Sequence, residues 1–210
     1  MVAARLGGSD PDANPRLRTA IQAAKDVNMP KDTLERAIKK GAGELEGVSF
    51  EEITYEGYTA GGGAILVKIT TDNRNRTAGE VKFAFGKYGG NMGTPGCVGF
   101  LFTKRGLIDV EGAEEDALME IALDAGAEDI ENQGEGYFLV STPWEHVQQI
   151  REALEKKRVK VTSSAVKMIP GTLVKVGGED VDRVQKFLDW LDNYDDVDDV
   201  ATNVEFEDQT

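Results

Sequence analysis

Two arginines spaced by one residue lie in Asp72-Asn73-Arg74-Asn75-Arg76, between an apolar β-branched run and a segment of helical spacing. Guanidinium forks suit phosphate, and the unpaired amides at a helix start favour anions. The loop therefore reads as an anion site formed by Arg74 and Arg76, with Lys82 and Lys87 on the helix that follows. The same residues also read as a polar strand–helix connection, with arginines that are solvated or that pair with acids such as Glu80 and hold the loop. A second group of cations comes earlier: Arg16, Arg18, Lys25, Lys31, Arg36, Lys39 and Lys40. It fits a polyanion-binding face, and equally a solvated face on which Lys39 and Lys40 complement a helix dipole. No base-reading set stands out, so a helix-turn-helix label has little behind it.

Other chemistry is poorly served. Cys97 is the only cysteine and His146 the only histidine. Far apart in sequence, they give no Ser-His-Asp or Cys-His arrangement and no zinc pattern. Cys97, between Gly96 and Val98, reads as a packed thiol, and a lone cysteine excludes an internal disulfide framework. The 38 acidic residues will form chance carboxylate pairs without catalytic meaning. The glycines from Gly86 to Gly99 do not make a phosphate loop, because Gly86-Lys87 is followed by Tyr88; turns and bends explain them better. We therefore expect no catalytic centre, no cofactor and no metal. Gly136-Tyr137-Phe138-Leu139-Val140 has some likeness to the aromatic strand of RNA-recognition motifs. Glu135 stands where a base is expected and Leu139 replaces a stacking aromatic, so Tyr137 and Phe138 read as core or interface residues.

Charge divides the chain. The 210 residues carry a net charge of −14. Residues 1–103 hold 13 Lys/Arg against 12 Asp/Glu, a balance of +1, whereas residues 104–210 hold 11 against 26, a balance of −15. Nucleic acid is repelled by acidic surface, so any polyanion contact belongs to the first half. No apolar run approaches the roughly 20 residues of a membrane helix, and no signal-peptide pattern is present. Low cysteine usage fits a reducing compartment, and a cytoplasmic location is expected.

The elements that must position these residues suggest an α+β protein of three units. Residues 1–45 read as a small helical domain: a helix ending at Gly7-Gly8, a second opened by Asn14-Pro15 with Leu17, Ala20, Ile21, Ala24 and Val27 on one face, and a third from Pro30 to Gly41. Residues 41–49 read as a linker. Residues 46–103 plus 170–210 read as an α+β domain. In it, Ile65–Thr71 is a buried strand, Thr77-Ala78-Gly79-Glu80 has capping-box spacing, and Cys97–Phe102 is a further strand. Residues 104–169 read as an inserted ferredoxin-like β-α-β-β-α-β domain, with Thr142-Pro143-Trp144-Glu145 capping its second helix. Such units often sense small molecules, by fold-level analogy only.

TDNRNRT at 71–77, the GGN-x-G that follows its helix, VAARLGGSDPDANPRLRTAI, NMPKDTLERAIKKG and YEGY occur in an order that resembles the YebC family of bacterial regulatory proteins. The mitochondrial relatives of that family activate translation of cytochrome c oxidase subunit I. The resemblance implies the same three-part arrangement and a non-catalytic regulator of gene expression. It implies a nucleic-acid partner, either ribosomal RNA on the ribosome or duplex DNA under a transcriptional regulator. Surfaces rich in RNA suit phosphate contacts without a base code, so translation is the leading expectation and transcription the alternative. Members of the family usually begin with a basic segment ahead of VAARLGG, and this chain opens inside what reads as the end of a helix. The expected contact residues are Arg16, Arg18, Lys31, Arg36, Lys39, Lys40, Arg74, Arg76 and Lys82.

Overall fold

The computed structural model describes residues 1–43 and 50–207; of the linker expected at 41–49, Gly41 ends the third helix and residues 44–49 lie outside the described residues. The described residues gather into two compact units, one of residues 3–43 with 104–168, the other of residues 50–103 with 169–207. The fold is α+β, with three helices at its start and a ferredoxin-like segment inserted in its middle.

In the first unit, α1 (Val2–Gly7), α2 (Pro15–Asp26) and α3 (Lys31–Gly41) open the chain. Asn14 fixes the start of α2. Its side-chain oxygen accepts from the Leu17 amide at 3.0 Å, and its side-chain nitrogen donates to Ala3 and Gly8 carbonyls at 2.8 and 2.9 Å. One buried residue thus caps α2 and ties it to α1. The core here is small: Ala3, Ala4 and Leu17, with Ile21 and Ile38 packed against them. The expected stripe on α2 is only half buried. Ala20 is exposed and Val27 is 72% exposed, because the chain leaves the helix there through Asn28 at φ 56°.

In the second unit, β1 (Glu51–Tyr58) pairs antiparallel with β2 (Ala64–Thr71) along its whole length. Helix α4 (Arg74–Lys87) and the short β3 (Asn91–Met92) follow. Residues 97–102 do not form the expected strand. The chain turns, makes a short 3-10 helix at Gly99–Leu101, and becomes extended only from Phe102. The cause is Glu56, whose carboxylate accepts from the amides of Gly96, Val98 and Gly99 at 2.8–2.9 Å and gathers the loop around itself. Burial pushes this carboxyl up, but the three amides outweigh it and hold Glu56 below the usual carboxylate range.

β4 (Phe102–Glu111), α5 (Glu115–Asp124), β5 (Asp129–Gly134), β6 (Tyr137–Pro143), α6 (Val147–Lys156) and β7 (Lys160–Pro170) follow in the β-α-β-β-α-β order expected. Their sheet runs β5-β6-β4-β7, the ferredoxin-like order. Ile108, Val110, Phe138 and Val140 meet Leu118, Ala122, Ile150 and Leu154 in its core. Phe138 is buried as expected, but Tyr137 is 46% exposed because successive strand residues face opposite sides. Glu135 and Gly136, with φ of 53° and 80°, form the tight β5–β6 turn. Gly106 is required by close approach: a side chain there would overlap Val147 and come within 2.7 Å of the Thr142 methyl. The expected cap at Thr142 is not made. Thr142 pairs with Gly106 in the sheet, its hydroxyl donates to the Pro143 carbonyl, and α6 begins only at Val147.

β8 (Val174–Val176), α7 (Glu179–Asp192), β9 (Val197–Thr202) and β10 (Val204–Phe206) complete the second unit. β9 pairs antiparallel with β2, giving the sheet β3-β1-β2-β9, while β10 turns away to pair with β8. Asn203 makes that switch. It is 2% exposed, and its side chain accepts from the Ala64 amide at 2.7 Å while its carbonyl accepts from Val174 at 2.7 Å. The core joins Ile65, Val67 and Ile69 to Val81, Ala84, Phe85, Phe187 and Leu191, with the Phe85 and Phe187 rings edge-on at 4.8 Å.

Candidate nucleic-acid interface

Arg74 and Arg76 occupy the first turn of α4 rather than a loop before it. Asn73 is the cap, its side chain accepting from the Arg76 amide at 3.1 Å, so the expected capping box at Thr77-Glu80 is displaced by one turn. The asparagine wins because it follows a strand end and its short side chain reaches back to its own chain. Thr77 is instead fully buried, its hydroxyl 3.1 Å from the Asn73 carbonyl and 2.8 Å from the Asp196 carboxylate. Glu80 accepts from the Tyr194 hydroxyl.

The two arginines differ in their surroundings. Arg76 Nη2 donates to Asp72 at 3.1 Å and to Asp196 at 2.9 Å. Asp196 also accepts from Thr71 at 3.1 Å, and Thr71 and Thr77 hydroxyls lie 2.8 Å apart. Burial raises Asp196, but Arg76, Thr77 and Thr71 together hold it below the usual range. Asp196 in turn heads the causes that raise Arg76. Burial and the hydrogen bond to Glu80 push the Tyr194 phenol up to about 12. Arg76 thus clamps the start of α4 to the turn before β9. Arg74 is looser, 67% exposed at its side chain and 3.9 Å from Glu51. Lys82 lies exposed further along the same helix.

The remaining expected residues belong to the first unit. Arg16 and Arg18 lie exposed in the first turn of α2, and Arg18 reaches the Asp12 carbonyl at 3.4 Å. Arg36, Lys39 and Lys40 share the last two turns of α3, Arg36 and Lys39 exposed and Lys40 half-buried. Lys31 starts α3 and pairs with Glu35 at 3.6 Å. α3 has no fully buried residue, so most of its surface is available for contact.

Sequence reasoning missed the groups that hold these helices. Asp196 sits between Asp189 and Asp199, a run of six aspartates with no Lys or Arg that by composition reads as a solvated helix end and turn, and nothing local marks it as the partner of TDNRNRT. Arg151 on α6 is 6% exposed and grips Asp26 of α2 at 2.7 and 3.0 Å, with Ser164 at 2.8 Å and Glu155 at 2.9 Å. The bond from Arg151 leads the causes that hold Asp26 below the ordinary carboxylate range. Cys97 is half-buried, packed by Gly93. Among the described residues, no group of three or more His, Cys, Asp or Glu is placed to hold a metal ion, and no helix is long and apolar enough to cross a membrane.

Cation-bearing helices on an α+β scaffold with a ferredoxin-like insertion define a class of multi-part protein already represented among solved structures. A conserved hypothetical protein from Aquifex aeolicus matches at a TM-score of 0.86 and 46% identity, over 99% of this chain and 86% of that one. A family profile described as "TACO1/YebC second and third domain" matches residues 50–204, and one described as "TACO1/YebC protein N-terminal domain" matches residues 1–44. The chain belongs to the TACO1/YebC family. A relative from Desulfosudis oleivorans, named "Probable transcriptional regulatory protein", is 50% identical over 99% of this chain and 85% of its own length. A relative of the same description from Geobacter sulfurreducens is 51% identical over 96% of this chain and 82% of its own.

Proposed function

We propose that this protein is a non-catalytic regulator of gene expression that binds nucleic acid through phosphate contacts and acts in translation on the ribosome. The relatives' names support the broader role in gene expression. The observation that carries the polyanion contact is the placement of exposed cations on α2, α3 and α4 in the half of the chain whose charge nearly balances, while the surplus acid lies in the other half. Contacts of this kind read backbone rather than bases. Among the described residues, no helix offers a base-reading set, which favours a structured RNA surface over a specific operator. Transcriptional control through duplex DNA, the activity in the relatives' names, is the second reading.

Affinity for purified ribosomes and for duplex DNA, measured side by side at stepped salt, tests both. Ribosomes should bind more tightly. Arg74→Ala with Lys82→Ala should weaken binding without sequence preference and lower the salt slope by about 1–2, since each lost phosphate contact removes roughly 0.7–0.9. Arg76→Ala should lower the melting temperature as well, because Asp196 then keeps the Thr71 and Thr77 hydroxyls but loses the cation that balances its charge. An unchanged slope and affinity in a folded Arg74→Ala/Lys82→Ala protein would mean that the α4 cations are structural only. His146→Gln and Cys97→Ser should keep regulatory activity, since neither group is assigned a chemical step.

A further inference from the structure

On the second unit, exposed sides of α4 and α7 enclose an open hollow of about 440 Å³ lined by Gly79, Glu80, Phe83, Trp190 and Tyr194. The rings of Trp190 and Tyr194 stack with centroids 4.9 Å apart and planes 15° from parallel. Phe83 is 69% exposed, while Phe85 on the same helix is buried in the core. Gly79 has open space where a side chain would stand, although glycine inside a helix costs about 1 kcal/mol against alanine. Glu80 accepts one bond, from Tyr194, and a carboxylate can accept several.

Three aromatic rings and a carboxylate, with no cation in the lining, form a site for a positive group. A guanidinium stacks on aromatic faces and donates in pairs to a carboxylate, which an ammonium does less well. The surroundings have the matching charge. Asp189 to Asp199 contains six aspartates and no Lys or Arg. Arg76, the neighbouring cation, is held by Asp72 and Asp196. Lys82 lies two residues beyond Glu80, and residues so spaced do not face each other on a helix; Lys87 and Lys186 stand one turn from Phe83 and Trp190, but Lys87 lies 5.1 Å over the Tyr88 ring and Lys186 is held by Asp182 at 2.6 Å.

We propose that this hollow receives an arginine side chain from a basic segment of a partner protein. A nucleobase could stack on the same rings, but its phosphates would then lie along the aspartates, which disfavours nucleic acid here. The inference does not rest on the nucleic-acid reading. It gives the acidic part of the second unit a ligand of its own, opposite in charge to the one assigned to the cationic helices.

The test uses the whole chain and two labelled peptides, one of alternating Arg and Gly, the other of alternating Lys and Gly. The arginine peptide should bind about three- to tenfold more tightly, and Phe83→Ala should remove most of that preference. With Trp144→Phe leaving Trp190 as the only tryptophan, the arginine peptide should change its fluorescence. Phe83 is on the surface, so its variant should melt with the parent; Glu80→Gln, checked the same way, should weaken the arginine peptide further. Equal affinity for both peptides, insensitive to Phe83→Ala, would reveal general attraction to a chain of net charge −14 and overturn the proposal. Single-stranded RNA that displaces the arginine peptide through a Phe83-dependent contact would overturn it too, by making the hollow a base-stacking site. Loss of ribosome binding in Arg74→Ala/Lys82→Ala leaves these readouts untouched, so failure of one reading can be told from failure of the other.

Discussion

Asp26 and Arg151 are the pair whose removal should be felt most. Side-chain exposures of 15% and 8% leave little water to replace a lost partner. Truncating Asp26 leaves the buried Arg151 with only Glu155 and Ser164, so Asp26→Ala should cost about 2 kcal/mol in urea unfolding, less than the loss of a sole partner. The pH dependence has a definite sign. Asp26, Glu56 and Asp196 all have folded-state pKa values below the ordinary range, so the stability they contribute is full above their unfolded values, near 4. It is lost as pH falls below that through the folded values. Unfolding free energy should therefore change little through these groups between pH 7 and 5 and drop below about 4, and Asp26→Asn should make that drop shallower by up to one proton. An acid limb as steep in Asp26→Asn as in the parent would sink this account. Little of it was legible in sequence. A motif shows that Arg76 and Thr77 belong together, but the carboxylate that binds them is supplied from 119–120 residues away, and no local pattern encodes that pairing.

Helices and strands were far more legible than their ends. Spacing predicts a stripe of Val181, Val184, Leu188 and Leu191 with Phe187 beside it; Val181, Val184 and Leu191 are buried, while Phe187 takes the core position and Leu188 is half-buried, and the order β4-α5-β5-β6-α6-β7 follows from alternating apolar patterns. In both expected capping boxes the threonine hydroxyl meets other groups, Thr77 the Asn73 carbonyl and Asp196, Thr142 the Pro143 carbonyl, and each helix starts elsewhere. Helix α6 offers a test at this scale. Its last turn closes with the Val159 amide on the Leu154 carbonyl and the Arg158 amide on Glu155, which puts Arg158 at φ 64°. A residue with a side chain pays roughly 1 kcal/mol to stand there. Arg158→Gly should raise unfolding free energy by about 0.5–1 kcal/mol, and Arg158→Val should lower it.

The charge division visible in composition is one of sequence: each compact unit combines a stretch of the near-neutral half with a stretch of the acidic half, and the pairs Arg76–Asp196 and Asp26–Arg151 join the two. Composition could not supply the buried pair of Arg151 and Asp26, which joins α2 to α6. The three-domain reading predicts that residues 104–169 fold when expressed alone: the fragment keeps its entire core from Ile108 to Leu154, and freed Arg151 can be solvated. A cooperative thermal transition and dispersed amide spectra would support it, and a fragment without either would make the N-terminal helices part of one folding unit with it.

The sheet β3-β1-β2-β9 also has a schedule. Its central strand β2 finds one neighbour at once in β1, but waits for the other until β9 is made; the Ala64–Asn203 bond spans 139 residues. At about 5–20 residues per second, the nascent chain passes on the order of 10 s with Ile65, Val67 and Ile69 along an unpaired edge. During that interval the inserted ferredoxin-like segment emerges and can fold. The second unit closes last, with the same aspartate-rich stretch that secures Arg76, so the clamp on α4 is among the final contacts that synthesis makes possible.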